Sequence, residues 1–271
     1  MSSIGQPLVR ADGRAKVTGA ARYSYEVSMP GAAYAVLITS GIARGRIVAM
    51  DTSAAERERG VVAVITPKNA LRFPGKTHGE PPDRVIQVLQ DDRILYSNQP
   101  IAVVVADTLE RAVHAALVVR VRAEGEPHAV HLEKASTAPF PHDIVAGGRK
   151  REPDSSHGEL ERGLRQADAK IDEHYELPPE THNPMEPHAT VAVWTAADRL
   201  TLYDSSQWVF SVRNKIANAF AIPKEKVHVV TKFVGGAFGC KGSAWSHVLI
   251  AALAAKQVGR PVKLVLARPQ M

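Results

Sequence analysis

Residues 101–106 read IAVVVA, an apolar run without a break. A run this short and uniform suits a β-strand covered on both faces, because a strand with one wet face would alternate. Asp107 and Thr108 follow as candidate N-caps, and Leu109, Ala112, Val113, Ala116 and Leu117 then recur at helical spacing. Residues 119–122 (VRVR) return to a period of two. Strand, helix and strand in succession make the first 125 residues an α/β domain.

The same signals recur along the chain. Residues 33–38 and 61–66 (VVAVIT, ended by Pro67) read as buried strands, with a short helix between them through Ala54 and Ala55, capped by Asp51 and stopped by Gly60. Residues 1–15 are polar and glycine-punctuated, which predicts an extended arm. Residues 124–156 turn to Gly, Pro, His and charge, as an interdomain crossing does. Beyond it, 191–194 and 200–203 suggest a hairpin around Ala197 and Asp198. A helix over 209–220 ends before Pro223, 227–230 is a strand, 244–258 a helix stopped by Gly259, and 262–266 a last strand. A further helix is expected after such a crossover, so the second domain reads as unfinished.

Composition narrows the function classes. A single cysteine, Cys240, among 271 residues excludes an internal disulfide, a cysteine-ligated zinc site and an iron–sulfur cluster within the chain. The net charge of +6 comes from basic residues scattered among acids, without the aromatic-interleaved basic runs of a nucleic-acid surface. The N-terminus lacks a basic segment followed by an apolar one, and the longest apolar stretch, 248–255, is too short to span a bilayer. No nucleic acid or membrane is expected as a partner.

Three segments could carry chemistry. In FVGGAFGCKG (233–242), four glycines within eight positions, between a strand and a helix, let main-chain N–H groups approach a phosphate or a polar heterocycle. The spacing is neither a Walker loop nor a dinucleotide fingerprint, and a tight turn without a ligand is the competing reading. In HNPMEPH (182–188), Pro184 and Pro187 prevent the helix that would aim both imidazoles at one metal. A rigid loop results, with Glu186 accepting hydrogen bonds. In DSSQW (204–208), a polar patch ends a strand where α/β folds present side chains to ligands, or else Ser205 or Ser206 simply caps the next helix. Cys240 is either a thiol with a depressed pKa beside Lys241 or a small residue tolerated in the loop.

Taken in order, DGRAKVTGAARYSYE (12–26), GVVAVIT (60–66), QPIAVVVADTLERA (99–112), NPMEPHATVAVW (183–194), SSQW (205–208) and VGGAFGCKGSAW (234–245) resemble the molybdenum hydroxylases, the xanthine dehydrogenase and aldehyde oxidase family, in the N-terminal part of their large molybdopterin-binding subunit. The resemblance implies an α/β (α+β) fold. An arm (1–15) precedes an aldehyde oxidase/xanthine dehydrogenase a/b hammerhead domain (16–125). A linker (126–160) leads to an incomplete molybdopterin-binding domain (161–271). It also implies cofactor contacts from Gly236, Ala237, Phe238 and Gly239, and from Gln207 beside an oxygen ligand of molybdenum. Ala237 and Cys240 stand where the family usually has glycine, which is expected to strain the loop. Gly242 stands where xanthine-oxidising members carry a substrate-binding Glu, which favours aldehydes.

The implied function is a fragment or split subunit of a molybdenum-dependent aldehyde oxidoreductase. Its molybdopterin is in the plain or the cytosine dinucleotide form, and it is inactive alone because the family's catalytic glutamate matches no position here. Implied partners are an iron–sulfur subunit, a FAD subunit and the remaining C-terminal molybdenum-binding portion. Iron–sulfur clusters and FAD are expected on partners only. The alternative is a non-catalytic interaction module built on the hammerhead domain. The cytoplasm is the default location, with periplasmic co-export through a partner as the other route.

Overall fold

The computed structural model describes residues 4–76, 87–130 and 156–271, and the secondary structure alone of 144–146 and 149–151. The chain forms two compact units, one of Met1–His78, Val85–His128 and His182–Met271, the other of Gly79–Arg84 and Ala129–Thr181. Much of the expected linker, 126–160, lies outside the described residues.

The first unit opens with α1 (Gly13–Val17), β1 (Ala33–Thr39), β2 (Gly45–Asp51), α2 (Ser53–Arg57), β3 (Val61–Ile65), β4 (Arg93–Ile94), β5 (Pro100–Ala106), α3 (Leu109–Val118) and β6 (Arg120–Gly125). The second unit holds β7 (Ile144–Ala146), antiparallel to β8 (Arg149–Arg151), and α4 (Leu160–Gln166), which has no buried residue. The first unit resumes with β9 (Ala189–Ala196), β10 (Arg199–Asp204), α5 (Val209–Phe220), β11 (Val227–Val230), α6 (Ser246–Val258) and β12 (Val262–Val265).

One seven-stranded sheet, ordered β11-β10-β9-β12-β1-β5-β3, joins strands from both ends of the sequence, and β2 lies between β4 and β6 in a second sheet. The seam of the large sheet is the parallel pairing of β1 with β12, where Ala33 faces Val262. The run that becomes β5 is covered on both faces, as its uniformity requires. Val103 and Val105 belong to the main core with α5 and α6, while Val104 packs with Ala55 and Ala115 under α2 and α3. Every residue of α6 from 247 to 255 is buried, so this helix is apolar nearly all round rather than along one stripe. Among the described residues no helix is long and apolar enough to cross a membrane.

Some expectations change. The arm is not wholly extended, since α1 begins at Gly13. The strand β2 was not expected: its apolar run is only residues 47–50, between charged residues. Helix α3 falls where its caps place it, with the Thr108 hydroxyl accepting from the Arg111 N–H, yet it turns Ala112 and Ala115 inward and leaves Leu117 80% exposed. Two alanines let the helix approach β5 closely, and the larger Val113 and Leu117 are left on the outside.

The topology also sets where the loops meet. β10 and β11 are parallel and β9 is antiparallel to β10, so the segments before β9, after β10 and after β11 emerge at one end of the sheet.

Candidate cofactor site

Those three segments are the ones that composition and spacing single out, and the structure brings them into contact. The loop 233–242 is tied at both ends to Glu186. The Gly235 N–H donates to Glu186 Oε2 at 2.8 Å, the Lys241 ammonium donates to the same oxygen at 2.8 Å, and Glu186 N–H donates to the Gly235 carbonyl at 3.0 Å. Glu186 thus has the hydrogen-bonding role read for it. Gly235 is required for this approach, because a Cβ there would lie 2.6 Å from the Glu186 Cβ.

From the other side, Gln207 Oε1 accepts from the N–H groups of Gly239 and Lys241, each at 3.2 Å. Two donors aimed at one atom fix which end of the amide is the oxygen, so Nε2 is the outward group. It has no partner among the described residues. The N–H groups of Gly236, Ala237 and Phe238 likewise have none, so consecutive main-chain donors are left free. Left-handed backbone at Gly236 (φ 94°), Phe238 (φ 55°) and Gly239 (φ 107°) shapes this stretch. Successive N–H groups in such a turn form an anion-accepting concavity. The expected strain at Ala237 and Cys240 is not found there. Neither has a positive φ, and the unfavourable conformation falls on Phe238, whose side chain is 70% exposed.

Beneath the loop lies a buried polar layer. His188 Nε2 meets the Cys240 carbonyl at 3.1 Å, and its ring packs edge-on against His247 with centroids 5.5 Å apart. Burial lowers the pKa of His188 and pushes that of His247 down to about 3. Asp204 accepts from the Thr190 hydroxyl, and burial pushes its carboxyl up to about 7. The Cys240 thiol donates to the Ala237 carbonyl at 2.7 Å, and burial raises its pKa, which overturns the reading of an activated thiol. Neither serine caps the next helix: the N-cap of α5 is Trp208, without a side-chain cap bond, while Ser206 Oγ accepts from the Trp208 N–H at 3.0 Å and Ser205 Oγ from the Ala189 N–H at 3.0 Å. Trp208, Phe238 and Met185 stand exposed in these same segments, and Phe210 in the first turn of α5.

The free donors suit molybdopterin, a polar heterocycle with anionic oxygens, since they are neutral main-chain and amide N–H groups with nothing else to bond. Among the described residues there is no His, Cys, Asp and Glu cluster able to hold a metal by itself. Residues 141–271 match the model of a molybdopterin cofactor-binding domain, and 18–127 match the aldehyde oxidase and xanthine dehydrogenase a/b hammerhead domain.

The chain belongs to the molybdenum hydroxylases.

Within this family it is 38% identical to the aldehyde oxidoreductase molybdenum-binding subunit PaoC of Escherichia coli K12, over 99% of the chain and 35% of that protein. It is 30% identical to the xanthine dehydrogenase molybdenum-binding subunit of Escherichia coli O157:H7, over 97% of the chain and 36% of that protein. The chain therefore spans about a third of the length of these relatives. Quinoline 2-oxidoreductase from Pseudomonas putida 86 shares the fold, with a TM-score of 0.80 at 23% identity over 99% of this chain and 35% of that one. In this molybdenum hydroxylase chain spacing could not reveal the buried partnerships of Lys241 and His188, nor His247 at all. Lys241 looks like a solvent-facing loop cation until its partner, Glu186, arrives from 55 positions upstream.

Proposed function

We propose that this chain contributes molybdopterin-facing loops to the molybdenum-binding subunit of an aldehyde oxidoreductase. One observation carries the reading: the partnerless N–H groups of Gly236, Ala237 and Phe238 lie in a loop whose neighbouring amides, at Gly239 and Lys241, are bonded to Gln207. Residues 236–239 would hold the pterin through the main chain, and the Gln207 NH₂ would donate to an oxygen ligand of the metal without adding charge. When bound, the cofactor supplies the oxidation of an aldehyde to its acid, with oxygen from water and the release of two electrons and two protons.

Aldehydes are favoured because the relative named an aldehyde oxidoreductase subunit is 38% identical, and because Gly242 leaves no carboxylate where the resemblance puts the purine-binding Glu. A carboxylate base comes from the portion of the subunit outside these 271 residues. Electrons leave to an iron–sulfur subunit and a FAD subunit, in the cytoplasm unless a partner carries the assembly across a membrane.

The test is metal and pterin analysis of the purified chain, alone and co-expressed with the segment that completes the length of its relatives. Molybdenum with a pterin in the co-expressed sample is expected, and the released pterin identifies its nucleotide form. No molybdenum in either sample would overturn the reading and leave the hammerhead segment as a docking module.

A further inference from the structure

We propose that the buried Glu186–Lys241 pair is a latch that holds the glycine loop in its ligand-facing shape, and that Lys241 is not itself a ligand for the pterin phosphate. A lysine in a glycine loop would ordinarily be read as the anion-binding cation. Here its side chain is 0% exposed, and its ammonium donates inward to Glu186 Oε2 at 2.8 Å and to the Glu186 carbonyl at 2.9 Å. The same carboxylate oxygen takes the Gly235 N–H. One residue therefore grips the loop at positions 235 and 241, and the free donors at 236–238 lie between the two grips.

The grip reaches Gln207 as well. Lys241 N–H bonds Gln207 Oε1, and Gln207 N–H bonds the Lys241 carbonyl at 2.9 Å. Fixing Lys241 thus fixes the direction in which the Gln207 NH₂ points. Glu186 and Lys241 are positioning residues, because they act through the loop and through Gln207.

The part of this inference that concerns the pterin rests on the proposed function; the latch itself is tested without any cofactor. Amide hydrogen exchange is measured on the full chain for Lys241→Met, for Glu186→Gln, which removes the charge but keeps an acceptor for Gly235, and for the double variant. In Lys241→Met, exchange at the bonded amides of Gly235, Gly239, Cys240, Lys241 and Gly242 should rise at least about tenfold while β9, β10 and α6 keep their protection. The double variant, which leaves no uncompensated charge buried, should stay as loose at positions 239–242, because the grip on Lys241 is gone in both; recovered protection there would show that the single variant suffers only from an unpaired charge and would overturn the latch. Unchanged loop exchange in Lys241→Met would overturn the latch. So would an equal loss of protection throughout the sheet.

In the complete subunit, molybdenum content separates a latch from a ligand. Glu186→Gln, which weakens the latch but keeps Lys241, should lower it severalfold, whereas a direct phosphate ligand at Lys241 would leave Glu186→Gln at the wild-type content. If the wild-type subunit holds no molybdenum while the exchange results stand, the functional reading fails and the latch survives.

Discussion

Two buried regions meet on helix α6, and they are held in opposite ways. Its middle, Leu249, Ile250 and Leu253, packs against Leu200, Leu264 and Val103 with no polar partner needed. Its first turn places His247 in the layer that also contains His188, Thr190, Asp204, Glu186 and Lys241. The apolar region is specified by volume and is indifferent to pH. The polar region is specified by partners, so it costs stability wherever a proton equilibrium disagrees with burial. Such a layer directly under the glycine loop marks where stability has been exchanged for position.

The comparison can be broken first on its apolar side. Leu253→Ala should cost about 2–5 kcal/mol in denaturant unfolding, because the closely packed sheet and helix leave little room to collapse into the cavity. That cost should be the same at pH 5 and pH 8; a pH-dependent cost would blur the distinction.

On the polar side, Asp204 gives the next largest effect. Its folded pKa of about 7 lies above the 3.8 of an ordinary Asp, so between these values the unfolded chain releases a proton that the folded chain keeps. This group's stabilising contribution is complete below about pH 4 and is lost as pH rises through 7, at up to about 1.4 kcal/mol per pH unit. Asp204→Asn should remove that slope, so the variant should gain on the wild type from pH 4 to 7 in a series of urea titrations. His247 works in the opposite direction. Its pKa, pushed down to about 3 from 6.5, gives a contribution that is full above about pH 6.5 and drains away as pH falls toward 3. His247→Leu should therefore flatten the acid side of the profile by about 1.4 kcal/mol per unit, read most cleanly between pH 6 and 5. Parallel profiles for variant and wild type would mean that the ring is solvated.

The smallest effect belongs to the exposed aromatics. Phe238→Ser should leave the unfolding midpoint within about 0.5 kcal/mol of wild type. It should nevertheless reduce light scattering by the concentrated chain, because exposed apolar surface around the loop drives association. A large loss of stability would place Phe238 in the core rather than against a ligand.

What was legible in the sequence followed from local periodicity. The strand at 227–230 and the helix at 209–220 form where the pattern puts them, because each is decided by its own residues. The six ordered motifs disclosed the family, and the glycine, Gln207 and Glu186 segments do converge. The buried side of α3 was only partly legible: Ala112 lies on the face that spacing marks, but Ala115 was chosen by the closeness of β5 rather than by hydrophobicity, and Val113 and Leu117 turn outward. Nor was the burial of Lys241, whose only local signals, glycines and a cysteine, suggest an exposed loop. The strained residue proved to be Phe238 rather than Ala237 or Cys240, because φ is set by how the loop closes on Glu186 and Gln207.

The central claim is that the main-chain donors of 236–238 exist to touch the cofactor. It is tested most directly by amide exchange in the complete subunit with and without molybdopterin. Bound cofactor should slow exchange at Gly236, Ala237 and Phe238 at least about tenfold while leaving β9 unchanged. Equal exchange at these positions in the loaded and empty subunit would contradict the account.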